Sequence, residues 1–245
     1  VEVGQFYTAQ RPGAALMFGW LKKKPKASPK NKVREFSAAN VNRLTMSMTQ
    51  STASINADLD GALVLLRSRA RGLCVNNEFG RRFLTLVANN VAGPTGPALQ
   101  VRRLDNTGKL DKPLNDTIEK HWRRFARSCD VTGRLSMSTL LQVTMKGVPR
   151  DGEALIRKVY SRDYDYGLAL QLLEADRLDE KRNTRLQNGN GVRQGVELDD
   201  RLRPVAYYIF TSHPGENWRS MLTPQVERVP ADQIIHLFRP ERAEQ

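Results

Sequence analysis

The spacing of apolar residues along the chain changes near residue 150. Before it, apolar residues recur every three or four positions, the spacing of one side of an α-helix. After it, they form short runs, some alternating with polar residues and some continuous, which is typical of strands. Helices followed by strands, rather than alternating with them, predict an α+β fold. We expect an extended basic arm over 1–55, a mainly helical part over 56–150 and a mainly β part over 151–245.

Four helices are predicted in the helical part, each beginning near a polar residue that can accept a hydrogen bond from the first turn. They cover residues 56–72, 78–92, 115–128 and 136–146. Gly147 and Pro149 are expected to stop the fourth helix. The apolar stripe of the first helix consists of Leu59, Leu63, Leu66 and Ala70. That of the second consists of Phe79, Phe83, Leu86, Val87 and Val91.

Six strands are predicted in the β part. They cover residues 153–161, 167–174, 191–198, 204–210, 225–229 and 234–238. The polar turn at 199–201 separates two of these runs as in a hairpin. The pattern indicates a small, mostly antiparallel β-sheet or a partly closed barrel.

Composition excludes several classes of protein. Of 245 residues, 40% are hydrophobic and 27% are charged, which excludes wholesale disorder. The longest apolar runs, 14–21 and 62–66, are far shorter than the roughly 20 residues that span a bilayer. No transmembrane helix or membrane partner is therefore predicted. Two cysteines, Cys74 and Cys129, are too few for a disulfide framework and are expected to pack as small apolar residues in a reducing compartment.

Positive charge is concentrated in the first part of the chain. The formal net charge is +13, with 25 Lys and Arg against 10 Asp and Glu in residues 1–150, but 14 against 16 in 151–245. The densest run lies in the arm, where Pro25 and Pro29 interrupt any helix. Its cations are Lys22, Lys23, Lys24, Lys26, Lys30, Lys32 and Arg34. Two interpretations stay open: an arm that binds a polyanion, and a solvated linker that keeps the protein soluble.

No catalytic motif stands out, so no cofactor, metal or enzymatic activity is predicted. The chain lacks a phosphate-binding GK[ST] loop, a GxSxG turn and an HExxH helix. The glycines at 189–195 precede a predicted strand, which argues against a dinucleotide turn. Asp163 and Asp165 have the spacing of a calcium loop without its remaining ligands, and we interpret them as a turn. The scattered histidines are interpreted as packing or surface residues: His121, His213 and His236.

An acidic patch at Asp176, Asp179 and Glu180 leaves one enzymatic alternative. Carboxylates in this arrangement could hold the metal ion of a nuclease. No Lys or His stands beside them in a recognised spacing, so we interpret them as solvated loop charges. The absence of catalytic groups favours a binding or structural protein.

Three segments, in order, resemble motifs of the lambda-type portal proteins of tailed bacteriophages. The segment 69–82 reads RARGLCVNNEFGRR and is similar to the family's helix pair, with 89–93 continuing it. The segments 195–199 (GVELD) and 204–208 (PVAYY) resemble a hairpin of that family. The segment 228–242, RVPADQIIHLFRPER, resembles a segment that in the family precedes the channel-lining helices, the clip and the crown. Their shared order and spacing make the resemblance specific.

The resemblance implies a ring of identical subunits, typically twelve, at one vertex of the phage head. Double-stranded DNA would pass through its channel during packaging and ejection. Its other partners would be the terminase large subunit, the major capsid or scaffold protein, and the head-completion adaptor proteins. It implies no catalytic activity, and a location in the virion, with the host cytoplasm as the place of assembly.

Members of that family are about twice as long as this chain. The resemblance therefore implies that this chain is the N-terminal, wing-forming half, and that the stem, clip and crown are not present in it. As a separate possibility, the chain is a DNA-binding module that uses its basic residues to follow phosphates. The residues predicted to contact nucleic acid or the shell are Lys22, Lys23, Lys24, Lys26, Arg67, Arg69, Arg71, Arg81, Arg82, Arg123 and Arg124.

Overall fold

The structure, a computed structural model, describes Arg43, residues 54–216, residues 225–240 and Arg242. Most of the predicted arm over 1–55, including its lysine run, lies outside the described residues, so the arm's extended conformation stays a prediction. The described helices and strands belong to one compact unit over residues 51–245. Within the described ranges, no helix combines the length and apolar character needed to cross a bilayer.

In the part of the chain that the structure describes, five α-helices precede the strands, as the α+β prediction requires. They are α1 (Ile55–Leu59), α2 (Leu63–Asn76), α3 (Glu78–Val91), α4 (Lys112–Arg127) and α5 (Met137–Asp151). The first predicted helix is two helices, because the chain turns at Gly61 with a φ of 75°. The third predicted helix corresponds to α4, which begins earlier than predicted. Asp111, rather than Asn115, accepts the hydrogen bond from the first turn, at Leu114 N.

The prediction that α5 stops at Gly147 is wrong. The helix continues through Gly147 and Pro149 and ends at Asp151, capped by Gly152, which has a φ of 87°. Gly147 is buried where α5 packs on the first strand, and a Cβ there would make an ordinary contact with that of Ala154, at 3.9 Å. Pro149 lies in the last turn, where its missing N–H removes one hydrogen bond and leaves the rest of the helix intact.

Eight strands of the described residues form two antiparallel sheets. They are β1 (Glu153–Tyr160), β2 (Leu168–Leu173), β3 (Thr184–Arg185), β4 (Gly191–Arg193), β5 (Val196–Leu198), β6 (Pro204–Phe210), β7 (Val226–Pro230) and β8 (Ile234–Phe238). The smaller sheet has the order β2-β1-β8, and the larger has the order β3-β4-β5-β6-β7. The prediction of a mostly antiparallel sheet is confirmed, as two open sheets in the described residues rather than a barrel.

The predicted strand over 191–198 is a hairpin of two strands, β4 and β5. The chain reverses at Gln194 and Gly195, whose φ angles are 47° and 80°. Gly195 is required there, since an added Cβ would approach the carbonyl oxygen of Asp179 to 2.7 Å. The next hairpin, β5 with β6 across the 199–201 turn, forms as predicted.

Strand β1 separates two hydrophobic cores because its side chains alternate between its two faces. Leu155 faces the larger sheet and packs with residues such as Tyr207 and Val229. Ile156 faces α5 and packs with Leu140 and Cys129. Both cysteines are free thiols, and Cys129 packs as an apolar residue as expected; burial raises its pKa. Strand β1 therefore joins the helices to the larger sheet, because each of its two faces packs in one of the two cores.

Candidate nucleic-acid and subunit interfaces

Arg67, one of the predicted contact residues, is buried between the helices and the sheets. It is 3% exposed, and its Nε donates to the backbone oxygen of Asp151 at 3.2 Å. Its Nη1 donates to Oε2 of Glu180 at 2.6 Å, and its Nη2 donates to the carboxylate of Glu153. Glu153 also shares a hydrogen bond of 2.6 Å with Nε2 of His236 on β8. Arg67 therefore joins α2 to the end of α5, to β1 and to the loop after β2.

Arg71 extends this ion-pair cluster by one helical turn. Its Nε donates to Asp151 at 2.7 Å, and its Nη1 lies 2.5 Å from Oδ2 of Asp176. Burial lowers the pKa of Arg71, but the bonds to Asp151 and Asp176 outweigh burial and raise it overall. Burial raises the pKa of Asp151, but the hydrogen bonds from Arg150 and Arg71 outweigh burial and hold that pKa below its usual range. Each charge in this cluster is matched by an opposite one.

These ion pairs correct the interpretation of the acidic patch as solvated loop charges. Asp176 pairs with Arg71, Asp179 pairs with Arg182 at 2.9 Å, and Glu180 pairs with Arg67. These ion pairs could not be predicted from the sequence, because the partners lie up to 113 positions apart. Contact of Arg67 and Arg71 with nucleic acid or the shell stays untested; in this structure their side chains are directed to carboxylates of the same chain.

Three other predicted contact residues are exposed near the junction of α2 and α3. They are Arg69, Arg81 and Arg82. Asn77 forms this junction by accepting hydrogen bonds from the backbone of Phe79 and Gly80, which starts α3. Arg81 donates from Nη2 to the backbone oxygen of Val75 at 2.7 Å, so part of its hydrogen-bonding capacity is used within the chain. The other two, Arg69 and Arg82, are exposed to solvent.

The remaining predicted residues, Arg123 and Arg124, lie on a basic face of α4. Lys120 and Arg127 belong to the same face, because the four residues have the spacing i, i+3, i+4 and i+7 and all are exposed. The face is about 10 Å long, at 1.5 Å per residue. Arg124 is held by Asp165 in the β1–β2 turn at 2.9 Å, an exposed pair. The helical spacing was the signal that could have added Lys120 and Arg127 to the prediction.

Arg102 and Arg103 supply two more exposed cations beside α4. Asn115 is buried, accepts from the backbone N of Arg103 and donates to its backbone oxygen, both at 3.1 Å. Glu119 accepts from the backbone N of Val101 at 3.0 Å. The segment 101–103 is thus fixed along α4 and is missing from the prediction, since nothing in the sequence places it there. Together these residues form a basic surface able to follow phosphates without reading bases.

Among the residues that the structure describes, one group of side chains has the composition of a metal site. Glu174, Asp176 and His213 place their ligand atoms within 4.8 Å of one another, with His213 Nε2 3.1 Å from Glu174. However, Asp176 already pairs with Arg71, and Glu174 is largely exposed. The Arg71 guanidinium already neutralises the Asp176 carboxylate. The group is therefore explained as an ion-pair cluster.

An open groove of about 640 Å³ lies beside the buried Arg67 cluster. It is lined mainly by apolar residues of α1, α2, the larger sheet and β8, including Leu59, Leu63, Tyr207 and Phe238. Glu153 and Glu180 also line it, but both are paired with Arg67. The groove therefore offers apolar surface rather than free catalytic groups.

Comparison with known proteins gives a consistent assignment. The model of the family described as "Phage portal protein, lambda family" matches residues 41–245. The "Probable portal protein" of Halomonas phage phiHAP-1 is 35% identical over 229 residues, which cover 90% of this chain and 44% of that protein. The chain thus spans less than half the length of this curated relative.

A solved structure titled "Neck of empty GTA particle computed with C6 symmetry" aligns with 71% of this chain and 38% of its own, at 13% identity and a TM-score of 0.42. The family match covers both the helical part and the sheets and includes all three motifs noted in the sequence. The chain belongs to the lambda family of phage portal proteins.

Proposed function

We propose that the protein containing this chain is a portal subunit. Identical copies would form a ring at the unique vertex of the phage head, and double-stranded DNA would pass through the ring during packaging and ejection. The observation that carries this proposal is the family match over residues 41–245. The protein would be a component of the virion, assembled in the host cytoplasm.

The described residues would act as a rigid building block of that ring. The ion-pair cluster around Arg67 fastens α2 to β1 and to the loop after β2, so the helices and the sheets would move together. Identical subunits close into a ring only when the rotation between neighbours divides a full turn. Each subunit would therefore need a fixed shape. No catalytic activity is proposed for this part of the chain.

The exposed basic residues would contact DNA or the inner shell. The α4 surface consists of six exposed cations on α4 and the segment beside it: Arg102, Arg103, Lys120, Arg123, Arg124 and Arg127. Contacts of this kind bind the phosphate backbone without sequence preference, as a conduit requires. The lysines at 22–26 would add to the same electrostatic attraction.

The remaining partners proposed are the terminase large subunit, the major capsid or scaffold protein, and the head-completion adaptor proteins. The support for them is family membership, and no residue of the described part is assigned to any of them. The typical number of subunits, twelve, has the same support.

Electron microscopy of the complete protein tests the proposal. Closed rings with a central channel support it. A population of monomers and open aggregates, with no closed ring under any condition of salt or concentration, contradicts it. DNA binding of the same sample, measured over a range of salt, tests the conduit part of the proposal separately.

A further inference from the structure

The apolar stripe of α3 faces away from its own core. Phe79 is 87% exposed, Phe83 is 54% exposed and Leu86 is 42% exposed, while Leu84 and Ala88 on the other side of the helix pack inward. Leu73 and Val75, at the end of α2 beside the same junction, are also more than half exposed. We call these five exposed residues the corner face: Leu73, Val75, Phe79, Phe83 and Leu86.

The geometry of the α2–α3 junction keeps this face exposed. Gly80 approaches the carbonyl oxygen of Leu73 so closely that an added Cβ would lie 3.2 Å from it. This contact, with the Asn77 cap, fixes the angle between the helices and turns Phe79 and Phe83 outward. The exposure is therefore built into the backbone and is not removed by a side-chain rotation.

The corner face is large enough to be an interface. Its residues expose on the order of 600 Å² together, the upper end of the range for the largest apolar patch on a monomer. A standard interface buries about 800 Å² on each partner, so the corner face would supply most of one side.

We infer that the corner face is the surface on which a second copy of this chain docks. This inference rests on the proposed function. The area of the face approaches that of one side of a standard interface, which a neighbouring copy in a ring would cover. The corner face is flanked by the exposed cations Arg81 and Arg82.

The same charges disfavour a symmetric pair of corner faces. In a two-fold contact each patch meets its own copy, so Arg82 of one copy would approach the like charge of the other. Contact between two different surfaces avoids this repulsion and repeats around an axis, which closes a ring when the rotation divides a full turn. The second-copy assignment therefore agrees with both the area and the charge of the corner face.

A photo-crosslink in the complete protein identifies what covers the corner face. Phe79 is replaced by p-benzoylphenylalanine, an aromatic residue of similar shape, and light and ¹⁵N-labelled copies are mixed before assembly. We expect crosslinked peptides that join one light and one heavy copy, with the second peptide from outside residues 73–86. Crosslinks only within one copy, or only to a different protein, overturn the inference.

A charge substitution gives the second readout. The double variant Phe79→Glu with Phe83→Glu should reduce the fraction of protein in rings at least tenfold, with the melting temperature of the monomer unchanged because both side chains are exposed. The matched control is Leu104→Glu, an apolar residue 56% exposed on the 104–110 hairpin, which should leave the ring fraction unchanged. A lower monomer melting temperature in the double variant shows that the face is covered within its own chain and overturns the inference.

The two proposals fail in different ways. If the unmodified protein forms no rings, the proposed function fails and the inference fails with it. If the unmodified protein and the Phe79→Glu, Phe83→Glu variant form rings equally well, only the inference is overturned. Rings that form in the unmodified protein and in Leu104→Glu, but not in the double variant, support both.

Discussion

Arg67 on α2 and Glu180 after β2 lie 113 positions apart in the sequence, and their side chains meet at 2.6 Å. The arginine is almost completely buried, with Glu153 as its second carboxylate partner. A buried guanidinium is costly to dehydrate, and its two carboxylates offset that cost only while all three groups are present. The link between the helices and the sheets therefore depends on the integrity of this ion-pair cluster.

Arg67→Ala should destabilise the chain strongly. The change leaves Glu153 and Glu180 without their shared counter-charge, which costs about 3–5 kcal/mol. Thermal unfolding followed by circular dichroism should show a melting temperature lower by on the order of 10 °C. Arg69→Ala, two residues along the same helix and exposed, is the control and should change stability by about 0.5 kcal/mol or less. An unchanged melting temperature for Arg67→Ala, with weakened DNA binding, contradicts the structural role.

Glu197 should make stability depend on pH in the acidic range. It is 0% exposed and accepts from Nε of Arg228 at 2.7 Å and from Asn190 at 2.8 Å. The bond from Arg228 is the main cause that lowers the pKa of Glu197 to about 2, from 4.5. The folded state thus binds this proton less tightly than the unfolded state. The stabilisation is present above about pH 4.5 and is lost as the pH falls towards 2.

Glu197→Gln should therefore lower the urea midpoint at pH 7 and flatten its decline between pH 5 and pH 2. The control is Asp232→Asn, which removes an exposed carboxylate in the turn between β7 and β8 and should leave both quantities close to those of the unmodified chain. A midpoint that declines just as steeply in Glu197→Gln as in the unmodified chain contradicts the assignment.

Gly195→Ala should destabilise the β4–β5 hairpin. The residue has a φ of 80°, and an added Cβ would meet the backbone oxygen of Asp179 at 2.7 Å. Strain and the clash together should cost more than about 1 kcal/mol, measured by chemical denaturation. Gly191→Ala on β4 is the matched control, since a Cβ there meets nothing within 4 Å. Equal stability of the two variants would show that the turn tolerates a side chain.

Loss of the basic groups should weaken the salt dependence of DNA binding. Changing Lys22, Lys23, Lys24 and Lys26 together to Ala should flatten the log–log slope by roughly 3–4 units if all four contact phosphates. Changing Lys120, Arg123 and Arg127 together to Ala should flatten it by roughly 2–3 units on the same basis. The control removes three exposed cations from the β part: Lys181, Arg185 and Arg193. A slope unchanged by either set removes that set from the DNA-binding surface.

The order of the elements could be predicted from the sequence, because helical and strand periodicities differ plainly on either side of residue 150. The end of α5 could not be predicted, since glycine usually favours the end of a helix, whereas Gly147 is buried within one. The turn between β4 and β5 could not be predicted from the sequence either, because Gln194 takes a positive φ that its residue type does not favour.

The functional surfaces could be predicted only in part. The motifs identified the family, which the comparison confirms. They could not separate Arg67, which is buried, from Arg69, which is exposed, because burial depends on partners distant in the sequence. The apolar stripe of α3 could be predicted from the spacing of its residues. That spacing is the same whether this side of the helix faces a core or a neighbouring subunit.

The native mass of the complete protein tests the central claim most directly. Native mass spectrometry or sedimentation measures it without assumptions about shape. The account predicts one dominant closed assembly, a whole-number multiple of the subunit mass that stays the same as the protein concentration is varied. A mass equal to that of one subunit across the whole concentration range would contradict it.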